Sequence, residues 1–469
     1  MRTLLLFIFS FTILSSVLAQ KKNVVVFVVD DLGFYDISLH GSKFYETPNI
    51  DALAKEGVDF SNAYVSHPRC VPSRYGLQTG KYPARVGVPG FQGKDECNLS
   101  DNEITIGQAF KNNGYTTFFA GKWHLGKLPE TWPNNRGYDV NIAGCSAGAP
   151  KSYFYPYNTP KDPKRSGNHK VIVGLEEGNE GEYLTDRLTK ETVQYINGEH
   201  KDPFFLMLCH YGVHTPLEAK EQLVQKYKNK LKGMSFEGPE FIHKDGETKL
   251  HQNDPVYAAM IESVDESLGA IVKALKDKNL YDNTIIVFTS DHGGLSNRGV
   301  GNKRKIATSN LPLRAGKGHN YEGGTKVPLI IAGNVPNASQ KSEQLTTNTD
   351  LYPTLLDLCD LPLIPSQHKD GMSIKKAITK NKKIKRTIYW HSPMARPRST
   401  GDTNCTVVRE GNYKLFYFYD EERFEMYQVD EDPYEENNIY QEDHKVAKRL
   451  KEKILAWQKD VNAVRIPSN

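Results

Sequence analysis

Residues 23–31, NVVVFVVDD, form a continuous apolar, β-branched run that ends in two aspartates. A run with no polar side must be covered on both faces, which is the situation of a parallel strand with helices above and below it. The two carboxylates then belong at the C-terminal edge of the sheet, where open α/β sheets bind their ligands. Other segments repeat the alternation. TPNIDALAKEG reads as a helix with Pro48 near its start and Gly57 at its stop. ITIGQAFKNNG leads into YTTFFAGKWH, and YLTDRLTKETVQYING leads into PFFLMLCHYG. In PVYAAMIESVDESLGAIVKALKDKN, the residues Ala258, Ile261, Val264, Leu268, Ile271 and Leu275 share one helical face ahead of NTIIVFTSDHGG. The pattern predicts an α/β fold built on a mostly parallel sheet flanked by helices.

A chain of 469 residues exceeds what one core usually supports, so two domains are expected. After the lysine-rich KKAITKNKKIKR, the segments TIYWHS, CTVVREGNYKLFYFYD and RFEMYQVDEDP read as short antiparallel strands, followed by a helix over DHKVAKRLKEKILAWQKDV. The expected division is 20–380 for the large domain and 381–469 for a smaller α+β domain of antiparallel sheet plus terminal helix. Residues 1–19 read as a signal peptide, with Arg2, an apolar run from Leu4 to Leu14 and a small-residue end at Ala19, so the mature protein is expected to be exported, periplasmic or secreted. No cysteine follows the cut and no later apolar run is long enough to span a bilayer, so no membrane anchor is expected. The formal net charge of +4 comes without a dense Lys/Arg tract or nucleic-acid motif. Nucleic acid is not an expected partner, and weak attraction for an anionic substrate is permitted.

Six cysteines, Cys70, Cys97, Cys145, Cys209, Cys359 and Cys405, are scattered without framework spacing, and any pairing among the last five stays open. Cys209 and Cys359 lie in apolar runs and read as inert buried thiols. Cys70 differs, with Arg69 beside it and Arg74 four residues on, which is the same face of a helix starting at Cys70. Asp30-Asp31, Lys122 to His124, His210 to His214 and Asp291-His292 all follow expected strand ends. Paired aspartates closing an apolar strand are costly without a cation, and a metal is the economical answer, with Asp291 completing the site. The plainer alternative is a turn capped by Asp30 and Asp31 before Gly33. Extended geometry in GKWH points Lys122 and His124 to one side. VHTP adds His214, and RAGKGHNYEGG adds Lys317. Each alone reads as a surface or structural residue; together they describe an anion pocket around a metal and a cysteine.

The stretch Cys70-V-P-S-Arg74-Y-G-L-Q-T-Gly80 resembles the signature of the type I sulfatases, C/S-x-P-S-R followed by Leu and Gly. VVDDLG, TPNIDALAKEGVDFSNAY, GKWHLG, VHTP, SDHGG and GKGHNYEGGTKVPLII are similar to family segments in the same order, from about residue 23 to 360. The resemblance implies an alkaline-phosphatase-like fold and a Cys70 oxidised to formylglycine by a formylglycine-generating or sulfatase-maturating enzyme. It implies one Ca²⁺ held by Asp30, Asp31, Asp291, the residue at position 70, and His292, which stands where many members carry Asn and which puts the metal's identity in question. Its implied chemistry is attack at sulfur by a hydroxyl of the hydrated aldehyde. Asp291 is also a candidate to take the proton of that hydroxyl, and Lys122, Lys317 and Arg74 hold sulfate or diol. His214, or Lys317, protonates the leaving oxygen, and His124 takes the proton whose loss eliminates sulfate. The implied substrate is a sulfated oligo- or polysaccharide, an algal galactan or ulvan or a host glycan. KSYFYPYNTPKDPKRSGNHK, and His391 and Arg396 in WHSPMARPRSTGDTN, are candidates for its pocket or else surface loops. The alternatives are a phosphonate or phosphodiester hydrolase of the same superfamily and, from a different class, an inactive carbohydrate-binding homologue.

Overall fold

A computed structural model describes residues 21–88, 90, 99–158, 171–336, 340–442 and 444–466; the expected signal peptide lies outside them. The run Asn23–Val29 is a strand buried along its whole length. It pairs in parallel with Phe204–Cys209 on one side and Thr284–Ser290 on the other. They sit at the centre of an eight-stranded sheet ordered Gln340–Ser342, Gly57–Phe60, Leu329–Gly333, Thr284–Ser290, Asn23–Val29, Phe204–Cys209, Thr116–Gly121, Val140–Ile142. Leu329–Gly333 pairs antiparallel with both of its neighbours; the other pairings are parallel.

The strand's two-residue period decides which core each valine enters. Val25, Phe27 and Val29 pack with side chains of the helices Pro48–Lys55, Leu184–Asn197 and Pro255–Asp277. Val24, Val26 and Val28 pack on the opposite face with those of Cys70–Thr79, Ile106–Asn112 and Leu351–Leu358. All six residues placed on one face of the long helix are buried. That helix starts where Asp254 accepts hydrogen bonds from the amides of Val256 and Tyr257. Its buried Asp265 in turn accepts from the amides of Asn49 and Ile50 at 3.0 and 2.8 Å, satisfying the open donors at the start of Pro48–Lys55. Gly57 stands just past the end of that helix, as expected, and is also the first residue of the next strand, where a Cβ would lie 2.5 Å from the Ile331 carbonyl oxygen.

The strands Thr387–Ser392, Cys405–Glu410, Tyr413–Phe418 and Arg423–Gln428 form an antiparallel meander. Val408, Leu415 and Met426 on one face are covered by Ala447, Leu450 and Ile454 of the terminal helix Lys445–Asp460. Trp390, Val407, Phe416 and Phe418 on the other face meet Tyr64, Ala315 and Tyr321 of the large domain. A buried ionic joint crosses the same seam: Lys414 Nζ lies 2.9 Å from Glu322 and 3.2 Å from Glu435. Among the described residues, no helix is long and apolar enough to cross a membrane.

Candidate active site

Four strand ends deliver the expected clusters to one edge of the sheet: Asp30 after Asn23–Val29, Lys122 after Thr116–Gly121, His210 after Phe204–Cys209, and Asp291 after Thr284–Ser290. Backbone bonds lock these ends together, with Asp30 N–H donating to Gly212 O at 2.9 Å and Lys122 N–H to Cys209 O at 2.7 Å. Opposite them starts the helix Cys70–Thr79. Pro72 fits its first turn, where no amide partner is needed. Gly80 ends it in the left-handed conformation, φ 67°, its amide bonded to Gly76 O at 2.9 Å. Cys70 therefore sits at the positive end of a helix dipole, favourable for negative charge.

The rest of the signature ties this helix to the strand ends. Ser73 Oγ donates to Asp291 O at 2.5 Å. Arg74 donates through Nε to Asp291 Oδ2 at 2.9 Å and through its NH1 nitrogen to Lys122 O at 2.6 Å. Lys122 Nζ lies 2.6 Å from Asp30 Oδ2, and Lys317 Nζ 2.6 Å from Asp31 Oδ1. His214 Nε2 lies 3.8 Å from Asp31 Oδ2, with Nδ1 donating to Thr215 O at 2.6 Å. Neither Asp30 nor Asp31 caps Gly33, whose amide bonds Asp36 instead.

Ligand atoms of Asp30, Asp31, Cys70 and His292 all lie within 4.8 Å of one another and are buried. His292 Nδ1 donates to Gly293 O at 3.0 Å, which leaves Nε2 aimed at Cys70 Sγ (3.1 Å), Asp31 Oδ1 (3.2 Å) and Asp291 Oδ1 (3.5 Å). Asp31 Oδ2 is buried without a hydrogen-bond partner. An orphaned carboxylate oxygen among further carboxylates and one imidazole nitrogen fits a divalent cation.

The charges follow from this crowding. Burial and the neighbouring Asp291 raise the Asp30 carboxyl well above its ordinary value, with Lys122 opposing. Burial also works to raise Asp31, but His214, Lys317 and His292 outweigh it and hold it down. Burial opposes charge on His292, yet Asp291, Cys70 and Asp31 push it up to about 9. Burial raises the Cys70 thiol, but Lys122, Lys317, His292 and His124 bring it well below the usual thiol value. A deprotonated sulfur facing an imidazolium is what an electrophile or an oxidant would meet there.

The family model described as Sulfatase matches residues 22–361. This chain belongs to the sulfatase family. A second model, described as the C-terminal part of N-sulphoglucosamine sulphohydrolase, matches residues 316–460 of the sulfatase. A sulfatase from Formosa agariphila is 29% identical over 93% of this chain and 89% of its own length. N-acetylgalactosamine-6-sulfatase of Sus scrofa is 29% identical over 79% of this chain and 69% of its own. The crystal structure of Ps i-CgsB in complex with k-i-k-neocarrahexaose superposes with a TM-score of 0.75 at 30% identity, covering 94% of this chain and 93% of that one. The protein is an enzyme, a sulfuric ester hydrolase.

In this sulfatase three sequence readings need correction. His124 meets Cys70 not through extended geometry but in the left-handed conformation, φ 59°, because its amide turns to bond Cys145 O at 3.1 Å. His391 is not on a sugar-facing surface; it is 2% exposed and bonds Thr406, Tyr419 and Val464 O inside the smaller domain. Tyr153 and Tyr157 are core residues rather than sugar platforms, and Tyr153 OH, 2.8 Å from His214 O, braces the His214 loop; residues 159–170 of that segment lie outside the described residues. Cys209 and Cys359 are buried thiols pushed up by burial to about 12 and about 11. Cys145 and Cys405 are also free and buried, and Cys97 lies outside the described residues. The sequence reading missed the partners of Arg69, which bonds Asp402 at 2.5 Å and Thr400 at 2.7 Å and so ties the residue before Cys70 to the smaller domain. It also missed Arg304, which donates to Thr215 Oγ1 at 2.9 Å beside His214. Neither carries a local sequence signal.

Proposed function

We propose that this sulfatase is exported and removes a sulfate ester from a carbohydrate, with Cys70 converted to formylglycine by a maturating enzyme and calcium held at Asp30, Asp31, Asp291, His292 and position 70. The observation that carries the reading is the meeting of Cys70, at a helix N-terminus, with three strand-end aspartates, His292, Arg74, Lys122 and Lys317. Formylglycine at position 70 would supply, when hydrated, one hydroxyl as the nucleophile toward sulfur with the alcohol as leaving group, and a second hydroxyl whose proton loss would release sulfate and restore the aldehyde. Calcium supplies Lewis-acid polarisation of the sulfate oxygens. Arg74 holds the Asp291 carboxylate and the Lys122 strand end in place, and its second terminal nitrogen, 3.8 Å from Asp30 and buried without a hydrogen-bond partner, is left to meet the sulfate or the diol. Lys122 and Lys317 face the pocket with their charge and offset the negative charge that grows on the sulfate oxygens. Burial, with Cys70 opposing and Lys122 assisting, brings His124 down to about 4, so it is neutral at pH 7 and fit to accept a proton beside position 70.

His214 is the donor to the leaving oxygen, with its Nε2 turned to Asp31. Burial holds it well below its ordinary value, with Asp31 opposing, so its proton must arrive with the anionic substrate; Lys317, on the same carboxylate, is the second donor in reach. The leader at 1–19 supports export. A carbohydrate substrate is supported by the N-acetylgalactosamine-6-sulfatase relative and by the sugar complex of Ps i-CgsB. An algal galactan, ulvan or a host glycosaminoglycan each fits this chemistry. The test is sulfate release, followed by ion chromatography, from a panel of these glycans, together with the mass of the peptide carrying residue 70. No sulfate from any of them, faster turnover of aryl phosphate esters than of aryl sulfate, or an active preparation with only unmodified cysteine rejects the reading.

A further inference from the structure

Two basic loops, RGVGNKRK at 298–305 and ARPRSTGD at 395–402, are stitched into one rim. Gly299 N–H donates to Ser399 O at 3.0 Å, and Asn302 Nδ2 donates to Arg398 O at 3.1 Å and Ser399 O at 2.9 Å. The rim is anchored at both sides of the reacting centre. Arg304 reaches Thr215, next to His214. Thr400 and Asp402 hold Arg69, next to Cys70. Some of its cations are neutralised: Arg298 pairs with Glu247 and Lys305 with Asp254, each at 2.5 Å. Among the described residues no carboxylate pairs with Lys303, Arg304 or Arg398. Arg396 donates to Gly90 O at 2.9 Å and lies in the field of Arg69, Asp402 and Cys70; burial and Arg69 lower it to about 10, with Asp402 and Cys70 opposing. A cavity of about 660 Å³ elsewhere, lined by Asn62 and Thr387, makes the contrast. Among the described residues its Lys383, Arg386, Arg409 and Lys453 are each matched to a carboxylate, which leaves Lys385 as its single cation without one.

We propose that Arg304 and Arg396 form a second anion subsite beside the scissile sulfate, so that the substrate carries at least two anionic groups, the second a sulfate ester or a carboxylate on the same or the adjoining sugar. The proposal rests on the carbohydrate reading above and narrows it to polyanionic glycans. Guanidinium forks suit both groups, because each offers two oxygens in one plane to paired N–H donors.

The test is calorimetric titration of full-length Cys70→Ala protein, which binds without turnover. The probes are matched disaccharides on galactose, N-acetylgalactosamine and glucosamine backbones, carrying one sulfate, two sulfates, or one sulfate and one uronate carboxylate. On at least one backbone the second anion should tighten binding about tenfold at low salt, falling as salt rises. Arg304→Gln with Arg396→Gln should bring that ratio below about threefold, and Arg→Lys at the same positions should keep part of it. Either single substitution, read the same way, serves if the double variant fails to fold. The arm that gives the ratio names the second group. No preference on any backbone, or a preference that survives the double substitution, overturns the proposal. Hydrolysis of the one-sulfate sugars by the active enzyme is scored separately, so a failed carbohydrate reading is distinguishable from a failed subsite.

Discussion

Loading the metal site should release protons. His292 reaches a value of about 9 in the metal-free protein carrying unmodified Cys70, so at pH 7 it is an imidazolium whose Nε2 has no lone pair to give. Two pH units below that value only about one molecule in a hundred presents the neutral ring. At 1.36 kcal/mol per unit, deprotonation costs metal binding about 2.7 kcal/mol, or roughly a hundredfold in apparent affinity at pH 7. Apparent Ca²⁺ affinity should therefore rise about tenfold per pH unit from 7 towards 9 and then level. The raised Asp30 carboxyl adds its own proton below the range where it titrates. The sign for stability is the reverse. His292 has a folded value above its unfolded value of about 6.5, so its contribution is fully present in the metal-free protein below about pH 6.5 and is lost as pH rises through about 9. Calcium titrations in PIPES, HEPES and Tris, which differ in ionisation enthalpy, give the number of protons released from the slope of observed against buffer enthalpy. We expect about one at pH 7 and about none near pH 10. His292→Asn should abolish the pH dependence above pH 7. An affinity flat between pH 7 and 9, with no proton released, would refute the idea that this imidazole occupies a ligand position.

Three further outcomes follow from the same contacts. Cys70→Ala should fold and release no sulfate from any ester; retained turnover would remove position 70 from the chemistry. His214→Ala should lose far more kcat/KM on a sugar sulfate, whose alkoxide leaves poorly, than on 4-nitrophenyl sulfate, whose phenolate leaves unaided, and equal losses would move the proton to Lys317. Lys414→Met should cost about 3 kcal/mol in urea unfolding, because it removes the ammonium between the buried carboxylates of Glu322, which keeps Tyr64 and Arg409, and Glu435, and a cost below about 1 kcal/mol would mean that joint is not a clamp.

The parts of this molecule that could be read from the chain are those where one local string answers to one physical demand. NVVVFVVDD has no polar face, so its place at the sheet's centre followed from burial alone. The long helix's apolar positions were visible for the same reason. The demand is less clear where a residue has two uses: Gly57 stands past a helix end and also serves the close approach of the Ile331 backbone. His391, one polar residue in a strand, carries no sign of the three partners that bury it. His124's left-handed turn is fixed by Cys145, a residue on another loop.

Long-range contacts become legible only when they are compressed into a short motif. In C-V-P-S-R each fixed position answers a separate constraint: Pro72 suits the first turn, Ser73 bonds the Asp291 carbonyl, and Arg74 spans the Asp291 carboxylate and the Lys122 carbonyl. This short motif thus ties its helix to two other strand ends, and the family resemblance it carries is what named the site in the sequence. Arg69 and Asp402 make an equally direct contact across 333 positions, but each lies among other charged residues and no spacing links the two segments, so nothing local marks them as partners. The rim built on that pair is braced to the site through Thr215 and Arg69, yet no short motif gathers its arginines. A sequence that displays its chemistry openly therefore gives little sign of the substrate it acts on.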